Sequence, residues 1–142
     1  MKYGWLALLL VLDGATKWWA FQGLMIPLGA VGGVSFALHT VLNTGAAWNL
    51  LAGHAGLLFV LRLAIIGSFL VWGRPLKWPM LLVLTGALGN TVDYVLYGAV
   101  VDFLSVTFGS WPFPVFNVAD SLISVGAVGL IFQRSHAAPL HT

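Results

Sequence analysis

Between Gly89 and Ser121 the chain reads GNTVDYVLYGAVVDFLSVTFGSWPFPVFNVADS, and three of its four acidic residues, Asp93, Asp102 and Asp120, fall inside this stretch. The fourth is Asp13, and there is no glutamate. The chain around them is 60% hydrophobic and 7% charged. In such surroundings an ionised carboxylate is costly unless it is paired, hydrated or protonated, so three in one segment point to chemistry. Asn90 and Asp93 are three apart, as are Asn117 and Asp120, and each pair shares a face wherever its segment is helical. Asp102 lies between the pairs, where the apolar run breaks, and is expected in a loop. Two carboxylates held close together can share one proton, one then acting as a general base on water and the other as a general acid.

Working outward from this stretch, four apolar runs read as membrane-spanning helices, at about 4–22, 55–72, 80–97 and 118–132. A length of 142 residues allows one domain. A mean hydropathy of +0.97 places it among membrane proteins. Met1-Lys2 followed by YGWLALLLVL imitates a signal peptide. Asp13-Gly-Ala-Thr-Lys17 and the lack of a small-residue cleavage site argue instead for a retained first span. Asp13 and Lys17 are spaced i,i+4 with the acid first, the favoured order for a pair along a helix. They either neutralise each other inside the bundle or help to shape a site. Small residues Gly86, Ala87 and Gly89 suit close helix packing in the third span. Gly73 to Pro79 reads as a turn, and Gln133 to Thr142 as a loose tail.

From Gly23 to His54 glycine and proline punctuate the chain, and Val34–Val41 loosely alternates bulky with small or polar residues. That pattern predicts short strands. Unpaired backbone cannot cross lipid, so this segment is expected to lie at a membrane surface as a small sheet. The remaining outer segment, about 98–117, is expected to be mainly loop, with Trp111-Pro-Phe-Pro-Val-Phe116 at the water–lipid boundary. Lys2, Arg74, Lys77 and Arg134 all fall on one side of a four-span arrangement, while both outer segments lack Lys and Arg. The positive-inside rule then puts both termini in the cytoplasm and Asp102 and Asp120 near the outer face. Lys17 and Arg62 are exceptions, placed near outer helix ends.

Several function classes drop out. Net charge is +2 and the six basic residues are scattered, so no nucleic-acid footprint appears. Without cysteine there is no disulfide, thiolate nucleophile or cysteine metal site. The histidines are His39, His54, His136 and His141, with no H-E-x-x-H and no G-x-S-x-G. No metal and no cofactor is expected. A small multidrug-type transporter is the rival class, and it expects its key acid within a helix.

The motifs themselves carry a resemblance. GNTVDY…VVDF and FNVADS resemble the two late motifs of the lipoprotein signal peptidases, the type II signal peptidases of bacterial membranes. Asp13-Gly-Ala-Thr-Lys17 and Asn43-Thr-Gly-Ala-Ala-Trp48 resemble the two early ones, in the family's order. The resemblance implies an aspartic endopeptidase of the cytoplasmic (inner) membrane. It would cut diacylglyceryl-modified prolipoproteins just before the lipidated Cys, working as a monomer in contact with membrane lipid. It further implies a catalytic dyad of Asp102 and Asp120, with Asn43, Gly45, Asn90, Asp93 and Asn117 shaping the site and Asp13 and Lys17 in support. Without the family, an ordinary turn is the alternative reading of Asn43–Trp48. An inactive paralogue that binds lipopeptides is the alternative within the family. The family's Asn-x-x-Asp is usually followed by Arg, and here it is followed by Tyr94. Arg62 or Lys17 is therefore expected to supply the missing charge to Asp93, with Arg62 favoured because Lys17 already has Asp13.

Overall fold

A computed structural model describes residues 2–23, 25–45, 53–71 and 77–135. Among them are four helices and four strands in the order α1 (Lys2–Ala20), β1 (Ile26–Val31), β2 (Val34–Asn43), α2 (Ala55–Val71), α3 (Trp78–Tyr97), β3 (Val100–Phe108), β4 (Trp111–Pro112) and α4 (Val118–Ser135). Central to the bundle is α3, which packs on α1, α2 and α4. Pro79 lies in its first turn, where a missing N–H breaks no helical bond. The helix therefore begins within the stretch expected to be a turn, and α4 likewise continues three residues into the expected tail. Gly98 closes α3 in the left-handed conformation, its N–H donating to the Tyr94 carbonyl.

Packing between α3 and α4 depends on absent side chains. A methyl group on Gly126 would sit 2.6 Å from the Pro79 carbonyl oxygen and 2.9 Å from the Val83 nitrogen. One on Gly86 would overlap the Ala119 carbonyl oxygen. Backbone atoms cannot step aside, so Gly86→Ala is expected to push the helices apart and destabilise the protein by roughly 1–3 kcal/mol. Gly67 on α2 meets nothing within 4 Å. Gly67→Ala should thus be neutral or slightly stabilising through helix propensity. Thermal unfolding of both variants in one detergent checks the contrast.

The sheet is antiparallel in the order β1-β2-β3-β4. Gly32 and Gly33, both at positive φ, make the two-residue turn between β1 and β2 that this hairpin geometry demands. Strand β2 runs where alternation predicted it. The segment 98–117 differs from expectation: it is not mainly loop but supplies β3 and β4, half of the strands. Val100-Val-Asp-Phe-Leu-Ser-Val-Thr-Phe108 is rich in β-branched and aromatic residues, and it pairs along β2 from Val34↔Phe108 to Asn43↔Val100. Asp102, taken as a loop residue, is therefore a strand residue facing Val41.

Among the described residues the interior is nearly as much polar as apolar. Deeply buried positions include Asp13, Lys17, Asn90, Asp93, Asp102 and Asn117. Large apolar side chains stand exposed on every helix, among them Trp5, Val60, Val95 and Ile131. Among the described residues one helix, Trp78–Tyr97, is by length and composition apolar enough to cross a membrane, and the apolar runs Ala55–Phe69 and Val118–Gln133 are shorter.

Candidate active site

Asp102 reaches the bundle on β3, and the chain after β4 then folds back across it. The N–H groups of Phe103 and Leu104 donate to the Phe116 carbonyl, at 3.1 and 2.7 Å, and the Phe116 N–H donates to the Leu104 carbonyl at 3.1 Å. This bridge delivers Asn117 beside Asp102 and starts α4 at the next residue. Asn117 and Asp120, expected on one helix face, instead form a reciprocal cap. The Asp120 N–H donates to Asn117 Oδ1 at 2.8 Å, and the Asn117 N–H donates to Asp120 Oδ2 at 3.3 Å. Two otherwise orphaned helix-end donors are satisfied, and Asp120 is fixed in the first turn, where the helix dipole favours negative charge.

Three asparagines hold the two carboxylates. Asn117 Nδ2 donates to Asp102 Oδ1 at 2.7 Å, and Asn43 Nδ2 donates to Asp102 Oδ2 at 2.7 Å. Asn90 Nδ2 donates to Asp120 Oδ1 at 2.8 Å. Asn43 is itself oriented by the Gly45 N–H, which donates to its Oδ1 at 2.8 Å. Asp102 and Asp120 open onto one cavity of about 570 Å³, lined also by Asn43, Gly45, Arg62 and Asn90 and walled by Phe113, Val115 and Phe116. Asp102 is 1% exposed. Burial, reinforced by the neighbouring Asp120 charge, pushes its pKa up to about 7 against the pull of Asn43, Asn117 and Lys17. Residues 46–48 of the Asn43 motif lie outside the described residues.

Behind this layer sits Lys17. Its Nζ lies 2.7 Å from Asp13 Oδ2 and 2.8 Å from Asp93 Oδ2, and donates to Asn90 Oδ1 at 3.0 Å. All three ammonium donors are thereby used. Asp13 Oδ1 accepts from the Ala119 N–H at 2.8 Å, and Asp93 Oδ2 accepts from the Val101 N–H at 3.1 Å. The expectation that Arg62 pairs with Asp93 is thus corrected. Lys17, not Arg62, supplies the charge: its ammonium serves Asp13 and Asp93 at once. Tyr94 stacks on Phe59 of α2 at a centroid distance of 4.7 Å. Of the three acids on helices, Asp13 and Asp93 are both ion-paired with Lys17, and Asp120 sits at the N-terminus of α4 facing the cavity.

Sequence reasoning missed some participants. The Ala119 and Val101 N–H groups are backbone, so no residue type announces them. Phe113–Phe116, read as a boundary segment, walls the cavity. Arg62, expected beside Asp93, lines the cavity instead.

A fold with apolar residues turned outward around a buried carboxylate pair has close counterparts. The sequence profile described as signal peptidase (SPase) II matches residues 5–135. A lipoprotein signal peptidase of Psychromonas ingrahamii is 35% identical, over 96% of this chain and 86% of that protein. One from Hydrogenovibrio crunogenus is 38% identical, over 96% and 87%. A bacterial membrane enzyme solved by the in meso method at 2.3 Å superposes with a TM-score of 0.75 at 25% identity, covering 96% of this chain and 91% of the other. These likenesses define the class, a bacterial membrane protease. The chain belongs to the signal peptidase II family.

Proposed function

We propose that this chain is an aspartic endopeptidase that removes the signal peptide from diacylglyceryl-modified prolipoproteins, cutting just before the lipidated Cys, with Asp102 and Asp120 as its dyad. The observation that carries the reading is two carboxylates facing one cavity, each held by asparagine amides, in unequal environments. Asp102 is enclosed and holds its proton up to about pH 7, while Asp120 sits at a helix N-terminus. Asp120 is accordingly the base and Asp102 the acid. A water oxygen bonds to the scissile carbonyl carbon as its proton passes to Asp120. The Asp102 proton moves to the carbonyl oxygen, giving a neutral diol. Collapse breaks the C–N bond as Asp120 protonates the leaving nitrogen and Asp102 takes a proton back from the diol. The dyad ends as it began. Asn43, Asn90 and Asn117 hold both carboxylates in place throughout, and Asp13, Lys17 and Asp93 hold Asn90 and the backbone beneath them.

All four helices span the membrane in this reading, with both termini cytoplasmic and the sheet and dyad toward the outer face. It is supported by the exposed apolar residues on every helix and by the polar interior. The protein works as a monomer, and the apolar cavity wall meets the lipidated substrate. A diacylglyceryl prolipopeptide should be cut far faster than the same peptide without lipid. In detergent the selectivity draws on about 0.8 kcal/mol per CH₂ removed from water, and in a bilayer much of that driving force disappears. Mass spectrometry of the products from both settings is the test. Equal turnover of both peptides in both settings would overturn the assignment.

The pH dependence follows from the same arrangement. Activity needs one proton on the pair, so kcat/KM should fall as pH rises through about 7, where Asp102 loses its proton. Because that pKa is raised on folding, the stability linked to the Asp102 proton is fully present below its ordinary 3.8 and is lost as pH rises to about 7. A pH–rate profile with no descending limb between pH 6 and 8 would contradict the assignment of the proton.

A further inference from the structure

Each asparagine amide at the dyad is already engaged. Asn43 and Asn117 donate to Asp102, and Asn90 donates to Asp120. Ser121 Oγ donates to the Asn117 carbonyl at 3.1 Å. Arg62 is different. It lines the same cavity from α2, it is half-buried, and among the described residues its guanidinium has no hydrogen-bond or ion-pair partner. Of the carboxylates, Asp120 acts on it most strongly, ahead of Asp102 and Asp93. Its place is set by packing. Phe59, three residues earlier and so on the same helix face, stacks on Tyr94, and Gly56, three earlier again, lies under the Tyr94 hydroxyl. The α2 face carrying Arg62 is thereby turned toward α3 and the cavity.

A half-buried cation with its whole fork of donors free, beside a water-activating pair, lacks one thing: an oxygen acceptor. Hydrolysis supplies one, because the scissile carbonyl oxygen gains negative charge as water adds and before the Asp102 proton reaches it. We infer that Arg62 is a catalytic residue of this protein, its guanidinium donating to the scissile carbonyl oxygen of the substrate across the cavity from Asp120. The inference rests on the reading of Asp102 and Asp120 as the dyad. Arg62 binds the oxygen more tightly as charge develops on it, so the interaction belongs to the transition state more than to the bound substrate.

The test uses the full chain in lipid nanodiscs with a diacylglyceryl prolipopeptide, comparing wild type, Arg62→Gln, Arg62→Lys and Asp102→Asn. Arg62→Gln should lower kcat by about 10-fold or more with KM little changed, the pattern of an interaction made in the transition state. Its descending pH limb should move upward, because a cation facing Asp120, Asp102 and Asp93 has gone while Lys17 remains. Arg62→Lys keeps the charge, so it should recover part of kcat and leave the limb in place. Wild-type kcat in Arg62→Gln overturns the inference. So does a loss of kcat that Lys does not relieve and that follows a fall in Tm, since that is a packing role. Asp102→Asn separates the two readings: cleavage surviving there sinks the dyad itself, whatever Arg62 does.

Discussion

Asp102→Asn and Asp120→Asn are each expected to lower kcat/KM on a diacylglyceryl prolipopeptide by about 10²–10⁴-fold or more, the range that removal of a general acid or base produces. Neither change should unfold the protein. Asp102 accepts one hydrogen bond on each carboxylate oxygen, from Asn117 and from Asn43. An asparagine there keeps one acceptor and turns a donor toward the other partner. Asn43 cannot flip to relieve this without turning its own amide against the Gly45 N–H. The mismatch stays small because Asp102 holds its proton up to about pH 7, so below that pH one neutral buried group replaces another. Asp120→Asn meets the same conflict between the Asn90 amide and the Asn117 N–H. Thermal unfolding should therefore show a modest shift beside a near-total loss of turnover. Full turnover in either variant would end the assignment of the dyad.

The largest loss of stability is expected from Lys17→Met. Lys17 is 3% exposed and Asp13 2%. Removing the ammonium leaves two buried carboxylates facing each other and Asn90 Oδ1 with one donor fewer. Breaking a buried ion pair from one side costs about 3–5 kcal/mol, a large share of the 5–15 kcal/mol that holds a typical domain together. Neutralising the acids should recover most of it: Lys17→Met combined with Asp13→Asn and Asp93→Asn is expected to be clearly more stable than Lys17→Met alone. Unfolding in one detergent at one pH gives the comparison, and simple additivity of the three changes would argue against a shared network. Activity should fall in the single variant as well. Lys17 orients Asn90, and Asn90 holds Asp120.

Much of this was legible from residue types and local spacing. Long apolar runs forecast the four helices, and Val34–Val41 declared a strand by its alternation. The rarity of carboxylates singled out Asp93, Asp102 and Asp120 together, since an apolar chain keeps few charges without a use for them, and the family resemblance chose Asp102 and Asp120 among them. The i,i+4 spacing of Asp13 and Lys17 also forecast their contact, because helix geometry alone brings such residues together. Tertiary structure decided the rest. VVDFLSVTF carries the β-branched and aromatic residues of a strand, but it became one because β2 lay beside it to be paired. The Asn117–Asp120 spacing suits a shared helix face and a helix cap alike, and the fold-back at Phe116 selected the cap. Lys17 has three donors, and its spacing accounts for one of them. The other two are taken by Asp93 and Asn90 on α3, and the contacts that complete the site join residues 59, 73 and 106 positions apart. Spacing along a chain dictates what meets within one helix turn. Which distant groups fill the remaining valences of a buried cation is settled only when packed helices bring them within hydrogen-bond reach.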